Sequence, residues 1–250
     1  MYMSTKIIIL AAGRGTRMGG ELPKVLVPLG GKPLVSHLLH RIRVSGICER
    51  PTIVVGHAAG LVKGTLGPQY EYIEQKERLG TGHAVASCKA ALAGKSERVM
   101  VFCGDMPFIA PEVIRTIEKT HREKGTVITM ATIQVPDFDD WRSPFYFFGR
   151  AIRDDAGEVI GSVEFSDATE EQKKSTDLNP GFFCFDADWL WRSVGKIQNK
   201  NAKKEYYIGD LIPVALDEGR KIASLPVPPE TAVGVNTPEQ LALAERAFLA

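Results

Sequence analysis

A glycine-rich loop directly follows a short β-branched run near the start of the chain, and this order constrains the fold more than any other feature. Residues 7–9 are all isoleucine and predict a buried strand, and the loop after them holds several glycines and a Pro-Lys pair. Glycines allow a positive φ and a close backbone approach to a ligand, so successive amide N–H groups can point at one anion. Arg14, Arg17 and Lys24 add positive charge beside those amides. The loop is therefore predicted to bind phosphate, most simply that of a nucleotide.

Spacing within this loop separates it from two common phosphate-binding motifs. A Walker A loop has Lys-Ser or Lys-Thr directly after its second glycine, whereas Glu21 follows Gly20 here. A dinucleotide-binding fingerprint requires Gly-x-Gly-x-x-Gly, and Met18 stands where the last glycine would be. The longer motif Gly-Arg-Gly-Thr-Arg-Met, closed by Pro23 and Lys24, resembles the signature of the sugar-1-phosphate nucleotidyltransferases. The alternative is an ordinary glycine-rich turn that binds nothing.

Composition and charge argue against several classes of function. The 250 residues carry 31 basic and 30 acidic side chains, so there is no global field that would attract a nucleic acid or a membrane surface. Four scattered cysteines lack Cys-x-x-Cys spacing, which argues against a zinc site or a disulfide framework. No stretch approaches the roughly 18 apolar residues that span a bilayer. We expect a cytoplasmic protein, monomeric or a small homo-oligomer, that acts on small molecules.

The first half of the chain alternates predicted strands with predicted helices. Apolar runs predict the strands and single apolar faces predict the helices, an order typical of a doubly wound, mostly parallel α/β sheet. Ligands of such sheets bind beyond the carboxyl ends of the strands, where the loops at 13–24 and 104–107 would lie. The predicted strands are 7–12, 52–55, 71–74, 99–103 and 126–135, and the predicted helices are 34–42, 82–92 and 112–119.

The second half is richer in predicted strands and suggests a β-rich flap over the mouth of that sheet. Strands are predicted at 145–148, 159–165 and 179–185, with a turn at 153–157. A helix is predicted at 206–216, with a kink or an end at Pro213. The last helix begins with a predicted capping box, in which Thr237 is the N-cap and Gln240 is the third helical residue.

Further motifs extend the resemblance along nearly the whole chain. Together they resemble the uridylyltransferase (pyrophosphorylase) domain of the bacterial bifunctional enzymes that make UDP-N-acetylglucosamine. The motifs are Gln75, Leu79-Gly80-Thr81-Gly82-His83-Ala84, Gly104-Asp105-Met106-Pro107, Phe148-Gly149-Arg150, Ser162-Val163-Glu164, Leu178-Asn179-Pro180-Gly181 and Gly234-Val235-Asn236. The resemblance implies a Rossmann-like nucleotidyltransferase fold with a sugar-binding flap. The expected single domain then comprises a nucleotide-binding half (1–135), a sugar-binding half (136–235) and a C-terminal helix (237–250).

The implied reaction condenses UTP with N-acetylglucosamine 1-phosphate to give UDP-N-acetylglucosamine and pyrophosphate. An oxygen of the sugar phosphate attacks the α-phosphorus in line, so catalysis requires positioning and charge neutralisation rather than a protein nucleophile. By this reasoning Arg17 and the amides of Gly13 and Gly15 would hold the departing β- and γ-phosphates. Lys24 would lie near the α-phosphate and the incoming sugar phosphate.

The resemblance also implies a magnesium site. Asp105 and Asn236 match the family's Mg²⁺ ligands, and Mg²⁺ commonly completes its octahedron with phosphate and water. Each residue has a plainer interpretation, because Asp105 could cap a turn and Asn236 could simply lead into a helix.

Two more groups of residues match the family's substrate contacts. Gln75 offers a donor and an acceptor on one amide, as a uracil edge requires. The matches to the uracil and ribose contacts are Leu10, Ala11, Ala12, Gly13, Gln75, Gly80 and Thr81. The candidates around the sugar are Cys103, Gly104, Gly149, Glu164 and Asn179, of which the last three match the positions that hold the hydroxyls and the acetamide.

Several departures from the family's pattern fall near the predicted sugar subsite. Cys103 stands where the family usually has tyrosine, Pro180 replaces a threonine, and Asp177 replaces a glutamate. The segment 137–147 is longer than the family's usual connection. The alternatives are therefore a thymidylyl-, guanylyl- or cytidylyltransferase, or a non-catalytic nucleotide-sugar sensor. No hexapeptide repeat of a β-helix is present, so we do not expect acetyl transfer or the trimer that supports it.

Overall fold

The first predicted strand lies at the centre of the computed structural model, which describes residues 4–13, 15–19 and 22–248. In β1 (Thr5–Ala11), Ile7 and Ile9 face one apolar layer and Ile8 faces the other, and all three are fully buried. Burial on both faces is typical of a parallel sheet that is covered by helices on both sides. The predicted α/β layering is confirmed.

The strands are short and mostly apolar. They are β1, β2 (Pro28–Leu29), β3 (Lys32–Pro33), β4 (Thr52–Val55), β5 (Glu71–Glu74), β6 (Arg98–Cys103), β7 (Ile128–Gln134), β8 (Gly149–Arg153), β9 (Val159–Val163), β10 (Asp177–Asn179), β11 (Phe183–Asp186) and β12 (Ile222–Pro226).

The large sheet has a mostly parallel centre. Its strand order begins β5, β4, β1, β6, β11, β7, and β12 also pairs with β7. The pairs among β5, β4, β1 and β6 are parallel, as is the pair of β12 with β7. Only β11 runs against its neighbours within this central set of described strands. These pairings confirm the predicted doubly wound, mostly parallel sheet.

The β-rich flap is an extension of this same sheet. Residues Ile133 and Gln134, at the end of β7, pair with Leu178 and Asp177 of β10 in antiparallel register. Strand β8 then pairs with β10, and β9 pairs with β8, both antiparallel. The flap is therefore fixed to the central sheet through β7.

Helices cover both faces of the sheet. Within the described ranges, none is both long and apolar enough to cross a membrane. They are α1 (Leu34–Ser45), α2 (Ala59–Leu66), α3 (Thr81–Ala86), α4 (Lys89–Leu92), α5 (Pro111–Lys124), α6 (Glu170–Lys173), α7 (Ala187–Ser193), α8 (Leu211–Asp217) and α9 (Pro238–Phe248).

Two predicted strands were wrong. Residues 145–148 belong mainly to a 3₁₀ helix, Asp140–Phe147, because the buried guanidinium of Arg150 binds the backbone carbonyls of this segment. Residues 179–185 form two strands rather than one. The chain turns between β10 and β11 at Gly181, whose φ of +79° is unsuited to a continuous strand.

Two predicted helices also differ. The helix predicted at 82–92 is divided into α3 and α4. The helix predicted at 206–216 starts with a 3₁₀ turn, Ile208–Asp210, and continues as α8. Pro213 is the third residue of α8, where a backbone N–H would have no partner within the helix, so it neither kinks nor ends the helix.

Candidate functional site

Neighbouring parallel strands bring the two predicted ligand loops together. Leu10 of β1 pairs with Cys103 of β6, so both strands end at the same edge of the sheet. The N–H of Gly104 donates to the carbonyl of Leu10 over 2.9 Å, which holds the loop after β6 beside the loop after β1. A Cβ at Gly104 would lie 3.1 Å from that carbonyl oxygen, so a glycine suits this close approach.

Four residues that the sequence singled out converge beyond this edge. The Nζ of Lys24 donates to the carboxylate of Asp105 and, over 2.8 Å, to the Oδ1 of Asn236. The exposed Arg17 donates to the same Oδ1 over 3.2 Å. We call Arg17, Lys24, Asp105 and Asn236 the charge cluster. It joins two cations to one carboxylate and one amide oxygen, an arrangement suited to binding phosphates.

The turn before α9 fixes the position of Asn236. The N–H of Val235 donates to the carbonyl of Asp105 over 3.0 Å, so the two segments are joined through their backbones. The Oε1 of Gln240 accepts the N–H of Asn236 over 2.7 Å, and Thr237 Oγ1 accepts the N–H of Gln240 over 3.3 Å. The predicted capping box is thus half correct, because the side chain of Gln240 binds Asn236 rather than the N-cap residue.

Gly15 positions Lys24 through close packing. Its φ is +66°, and a Cβ at this position would lie 2.5 Å from the Cβ of Lys24. Gly15 therefore supplies both a left-handed backbone and the space for the lysine. Arg14 and Gly20, which the sequence also implicated, lie outside the described residues.

A first cavity of about 250 Å³ opens between the charge cluster and the loop after β5. It contains all seven residues predicted to contact uracil and ribose. The lining residues are Leu10, Ala11, Ala12, Gly13, Lys24, Val25, Gln75, Arg78, Gly80, Thr81, Ala84, Cys103, Asp105 and Glu205. Gly15 is absent from this lining.

Gln75 is held by contacts that the sequence did not predict. Its Nε2 donates to the carbonyl of Gly80 over 3.1 Å and contacts the Nδ1 of His83 at 3.0 Å. Both amide hydrogens of Gln75 are thus engaged within the protein, which leaves Oε1 to accept a hydrogen bond from a ligand. That Gln75 offers a ligand both a donor and an acceptor stays a prediction. The histidine three residues after Gly80 was a visible signal for this contact.

The loop at residues 79–82 is tied to the segment before α8. The N–H of Gly82 donates to the carbonyl of Tyr206, and the N–H of Tyr206 donates to the carbonyl of Leu79, each over 2.7 Å. Thr81 Oγ1 accepts the N–H of Ile208 over 3.0 Å. These bonds connect the first cavity to the second half of the chain.

A second cavity of about 280 Å³ adjoins the first and shares Leu10, Thr81, Cys103 and Asp105 with it. It contains four of the five predicted sugar contacts, because Gly104 is absent from its lining. The remaining lining residues are Arg17, Met106, Pro144, Phe147, Phe148, Gly149, Glu164, Asn179, Pro180, Gly181, Phe183, Lys203, Ile208, Gly209, Asn236 and Gln240. Arg17 therefore lines the second cavity and not the first.

Polar groups of the flap line this second cavity. The amide of the buried Asn179 donates to Ser162 Oγ over 2.9 Å and accepts the N–H of Gly181 over 2.7 Å. Burial raises the pKa of Glu164, the positive charge of Lys203 opposes that shift, and nearby carboxylates add to it. The cavity therefore offers amide and carboxyl groups that can hydrogen-bond to hydroxyls.

Cys103 lies where the two cavities meet. Burial, aided by the charges of Asp105 and Glu164 and opposed by that of Lys24, raises the pKa of its thiol to about 12. Because the thiolate rather than the thiol is the nucleophile, Cys103 is unsuited to covalent catalysis at neutral pH.

Comparison with known proteins identifies the family. The profile of the MobA-like NTP transferase domain matches residues 7–174, more than half of the chain. This chain belongs to the MobA-like NTP transferase family. It is 40% identical to the Bifunctional protein GlmU of Geotalea daltonii and 41% identical to that of Geobacter metallireducens, over 96% of this chain in each case. The matches cover 51% and 49% of those proteins, so the chain spans about half their length.

A solved structure gives the same architecture for this MobA-like transferase. A protein described as a glucose-1-phosphate thymidylyltransferase from Bacillus anthracis, solved with a sucrose, matches with a TM-score of 0.75. The alignment covers 97% of this chain and 94% of that chain, at 21% sequence identity. At this identity the likeness shows the fold alone, and it confirms the nucleotidyltransferase fold that the sequence predicted.

The departures noted in the sequence of this MobA-like transferase have different positions in the fold. Pro180 and Cys103 line the second cavity, as expected. Asp177 is absent from that lining. Its carboxylate instead accepts a 2.5 Å hydrogen bond from Nε of Arg153, so it stabilises the pairing of flap strands. Asp177 thus contacts a neighbouring flap strand, two residues before Asn179, which does line the second cavity.

Proposed function

We propose that this chain transfers a uridylyl group from UTP to N-acetylglucosamine 1-phosphate and releases pyrophosphate. One observation carries the proposal: the charge cluster lies where a cavity suited to a nucleotide meets a cavity lined by hydroxyl-binding groups. The α-phosphate of the nucleotide and the phosphate of the sugar would meet at this junction. The similarity to the GlmU proteins supports the same chemistry.

The proposed reaction is an in-line displacement at the α-phosphorus. The main task of the protein is to bring two phosphate groups together and to neutralise the charge that builds up on them. In this proposal Lys24 Nζ would bind the α-phosphate and the sugar phosphate. Arg17, which lines the second cavity and meets Lys24 at Asn236, would bind the leaving pyrophosphate. No side chain is required to become covalently attached, which agrees with the neutral thiol of Cys103.

The preference for UTP is proposed from the resemblance to uridylyltransferases. Gln75 is compatible with it, because Nε2 is engaged within the protein and Oε1 would accept the imide N–H of uracil. The other bases also carry N–H donors, so Gln75 alone does not select the base.

The charge cluster also fits a divalent cation. The carboxylate of Asp105 and the Oδ1 of Asn236 already converge on one cationic group, the ammonium of Lys24. Among the described residues, no set of three or more His, Cys, Asp or Glu side chains could hold a metal alone. We propose that Asp105 and Asn236 hold Mg²⁺ together with substrate phosphate and water. When bound, the ion would neutralise phosphate charge during the transfer.

The proposal is tested by measuring pyrophosphate release from every pairing of four nucleoside triphosphates with several sugar 1-phosphates, with and without Mg²⁺. We expect the largest kcat/KM for UTP with N-acetylglucosamine 1-phosphate, and no turnover without the metal. The D105N variant should lose turnover while its Tm stays near that of the native protein. Release with another pair alone would change the assigned substrates, and no release with any pair would refute the enzymatic proposal.

A further inference from the structure

An aromatic cluster lies beside the second cavity. It is formed by Tyr146 and Phe147 of the segment 140–147, together with Phe165, and we call these three residues the aromatic wall. Of the three, only Phe147 lines the cavity. Phe147 is 60% exposed, the largest exposed fraction among the large apolar side chains in the described part of the chain. It also lines the second cavity. Phe147 adjoins the exposed Tyr146, and contiguous apolar surface beside polar groups is typical of a ligand-binding groove.

The rings of the aromatic wall are rigidly supported. Phe147 packs edge-to-face on Tyr146, with centroids 5.4 Å apart, and on Phe165, at 5.3 Å. Beneath them the fully buried Arg150 donates to the carbonyls of Tyr146, Phe148 and Lys173. Its guanidinium carbon also lies 5.5 Å from the ring centroid of Phe165 and 5.8 Å from that of Tyr146. The exposed ring is thus held in place before a ligand arrives.

The rest of the cavity complements this ring. Glu164 and Asn179 provide hydrogen-bonding groups, whereas Cys103, Gly149 and Gly181 are small. A pyranose ring presents hydroxyls around its edge and C–H bonds on its faces. Carboxyl and amide groups on one side with an aromatic ring on another therefore match the two kinds of surface that such a sugar has.

We propose that Phe147 packs against a C–H face of the pyranose ring and selects cyclic sugar 1-phosphates over acyclic phosphomonoesters of similar charge. This inference rests on the proposed function, because it assigns the second cavity to the sugar substrate. Arg150 acts as a positioning residue that keeps the segment carrying Phe147 at the cavity.

The first test compares F147A, F147W and the control I160A. Ile160 is an apolar residue that is 41% exposed and lies outside the lining of the cavity. We expect F147A to raise KM for the sugar 1-phosphate by about tenfold, since it removes an apolar contact with the ring. KM for the nucleotide and the Tm should change little, F147W should keep the native KM, and I160A should behave as the native protein. An unchanged sugar KM in F147A would refute the inference while leaving the proposed function intact.

The second test does not depend on turnover. Saturation-transfer NMR with N-acetylglucosamine 1-phosphate and with glycerol 3-phosphate would report binding by the native protein and by F147A. We expect saturation of the ring C–H protons in the native protein and its loss in F147A, with no comparable signal from the acyclic ester. This result would support the inference even if no nucleotide transfer were found. Equal signals from the two proteins, or no signal from the native one, would overturn it.

Discussion

The ammonium of Lys24 donates a 2.8 Å hydrogen bond to the amide oxygen of Asn236, a residue 212 positions farther along the chain. The same ammonium binds the carboxylate of Asp105. One cation therefore joins the loop after β1, the loop after β6 and the turn before α9. It also contacts the two oxygen ligands that we propose for Mg²⁺, so the lysine and the metal would compete for them in the absence of substrate.

The K24A variant should bind a divalent cation more tightly than the native protein when no substrate is present. Removing the ammonium leaves Asp105 and Asn236 without the cation that they share. We expect the Kd for Mn²⁺, used as a probe for Mg²⁺, to fall by about fivefold because a competing charge has been removed. Isothermal titration calorimetry would measure the Kd, and turnover of the variant should be lost.

The matched control for this prediction is K32A, since Lys32 is an exposed lysine in the short hairpin after the loop. It should keep the native affinity for Mn²⁺. Tightening of equal size in both variants would show a general effect of net charge and would contradict the competition that we describe.

Substituting Gly15 with alanine should impair catalysis beyond its effect on folding. The new Cβ would lie 2.5 Å from that of Lys24, so the lysine must move away from its partners. A shift of this size at a reacting group can cost about 100-fold in rate. The unfavourable φ should in addition lower the free energy of unfolding by about 1–2 kcal/mol. Steady-state kinetics and chemical denaturation would measure the two effects.

Gly19 provides the control for the backbone effect. Its φ of +69° is close to that of Gly15, but a Cβ there would meet no atom within 4 Å. The G19A variant should therefore lose similar stability and keep most of its activity. If G15A and G19A lost activity equally, backbone strain in the loop rather than the position of Lys24 would be responsible.

The central sheet and the charge cluster were largely predictable from the sequence. Short apolar runs such as β1 and β6 are buried on both faces, and the carboxyl ends of neighbouring parallel strands must share one edge. Residues that directly follow those strands, such as Asp105, therefore had to meet. The specific partners of Lys24 were not predictable in this way, because Asn236 reaches the cluster through a turn distant in sequence.

The flap was less predictable because distant contacts override its local pattern. The aromatic residues at 145–148 favour a strand by composition. However, the guanidinium of Arg150 donates to the carbonyls of Tyr146 and Phe148 in this segment and to that of Lys173 in α6. The role of His83 was missed for a similar reason. Its contact with Gln75 depends on the turn at Gly80, which is set by packing against Tyr206.

The G80A variant should test the connection between the two cavities. A Cβ at Gly80 would lie 2.6 Å from the carbonyl oxygen of Tyr206, and the φ of +102° already disfavours alanine. We expect a loss of about 2–3 kcal/mol in the free energy of unfolding, from overpacking and strain together. KM for the nucleotide should rise, because the carbonyl of Gly80 accepts from Gln75. The control is G94A, where φ is +73° but a Cβ would meet no atom within 4 Å. This variant should lose only the stability that the unfavourable backbone conformation costs. Equal losses of unfolding free energy in G80A and G94A would contradict the steric argument.

Asp210, at the start of α8, should make the stability of the protein depend on pH. Burial raises its pKa from 3.8 to about 6, the charge of Asp167 adds to the shift, and the backbone of Tyr207 opposes it. Asp210 lines a third cavity, of about 300 Å³, together with Glu164, Lys196 and Lys200. The folded protein therefore holds a proton that the unfolded chain releases at lower pH. The stabilisation that this bound proton gives the folded protein is complete below about pH 4, and it is lost as the pH rises to about 6 and above.

The D210N variant should remove that loss, because its neutral amide cannot ionise. The unfolding free energies of the variant and the native protein should differ little at pH 4, apart from a constant offset. Between pH 4 and pH 7 the difference should grow in favour of the variant by on the order of 1–2 kcal/mol, which is less than the full shift implies because water reaches the cavity. Urea denaturation across this range would measure it. The D217N variant is the control, since Asp217 lines the same cavity but is exposed. A difference that stayed constant with pH for D210N would show that folding does not raise the pKa of Asp210.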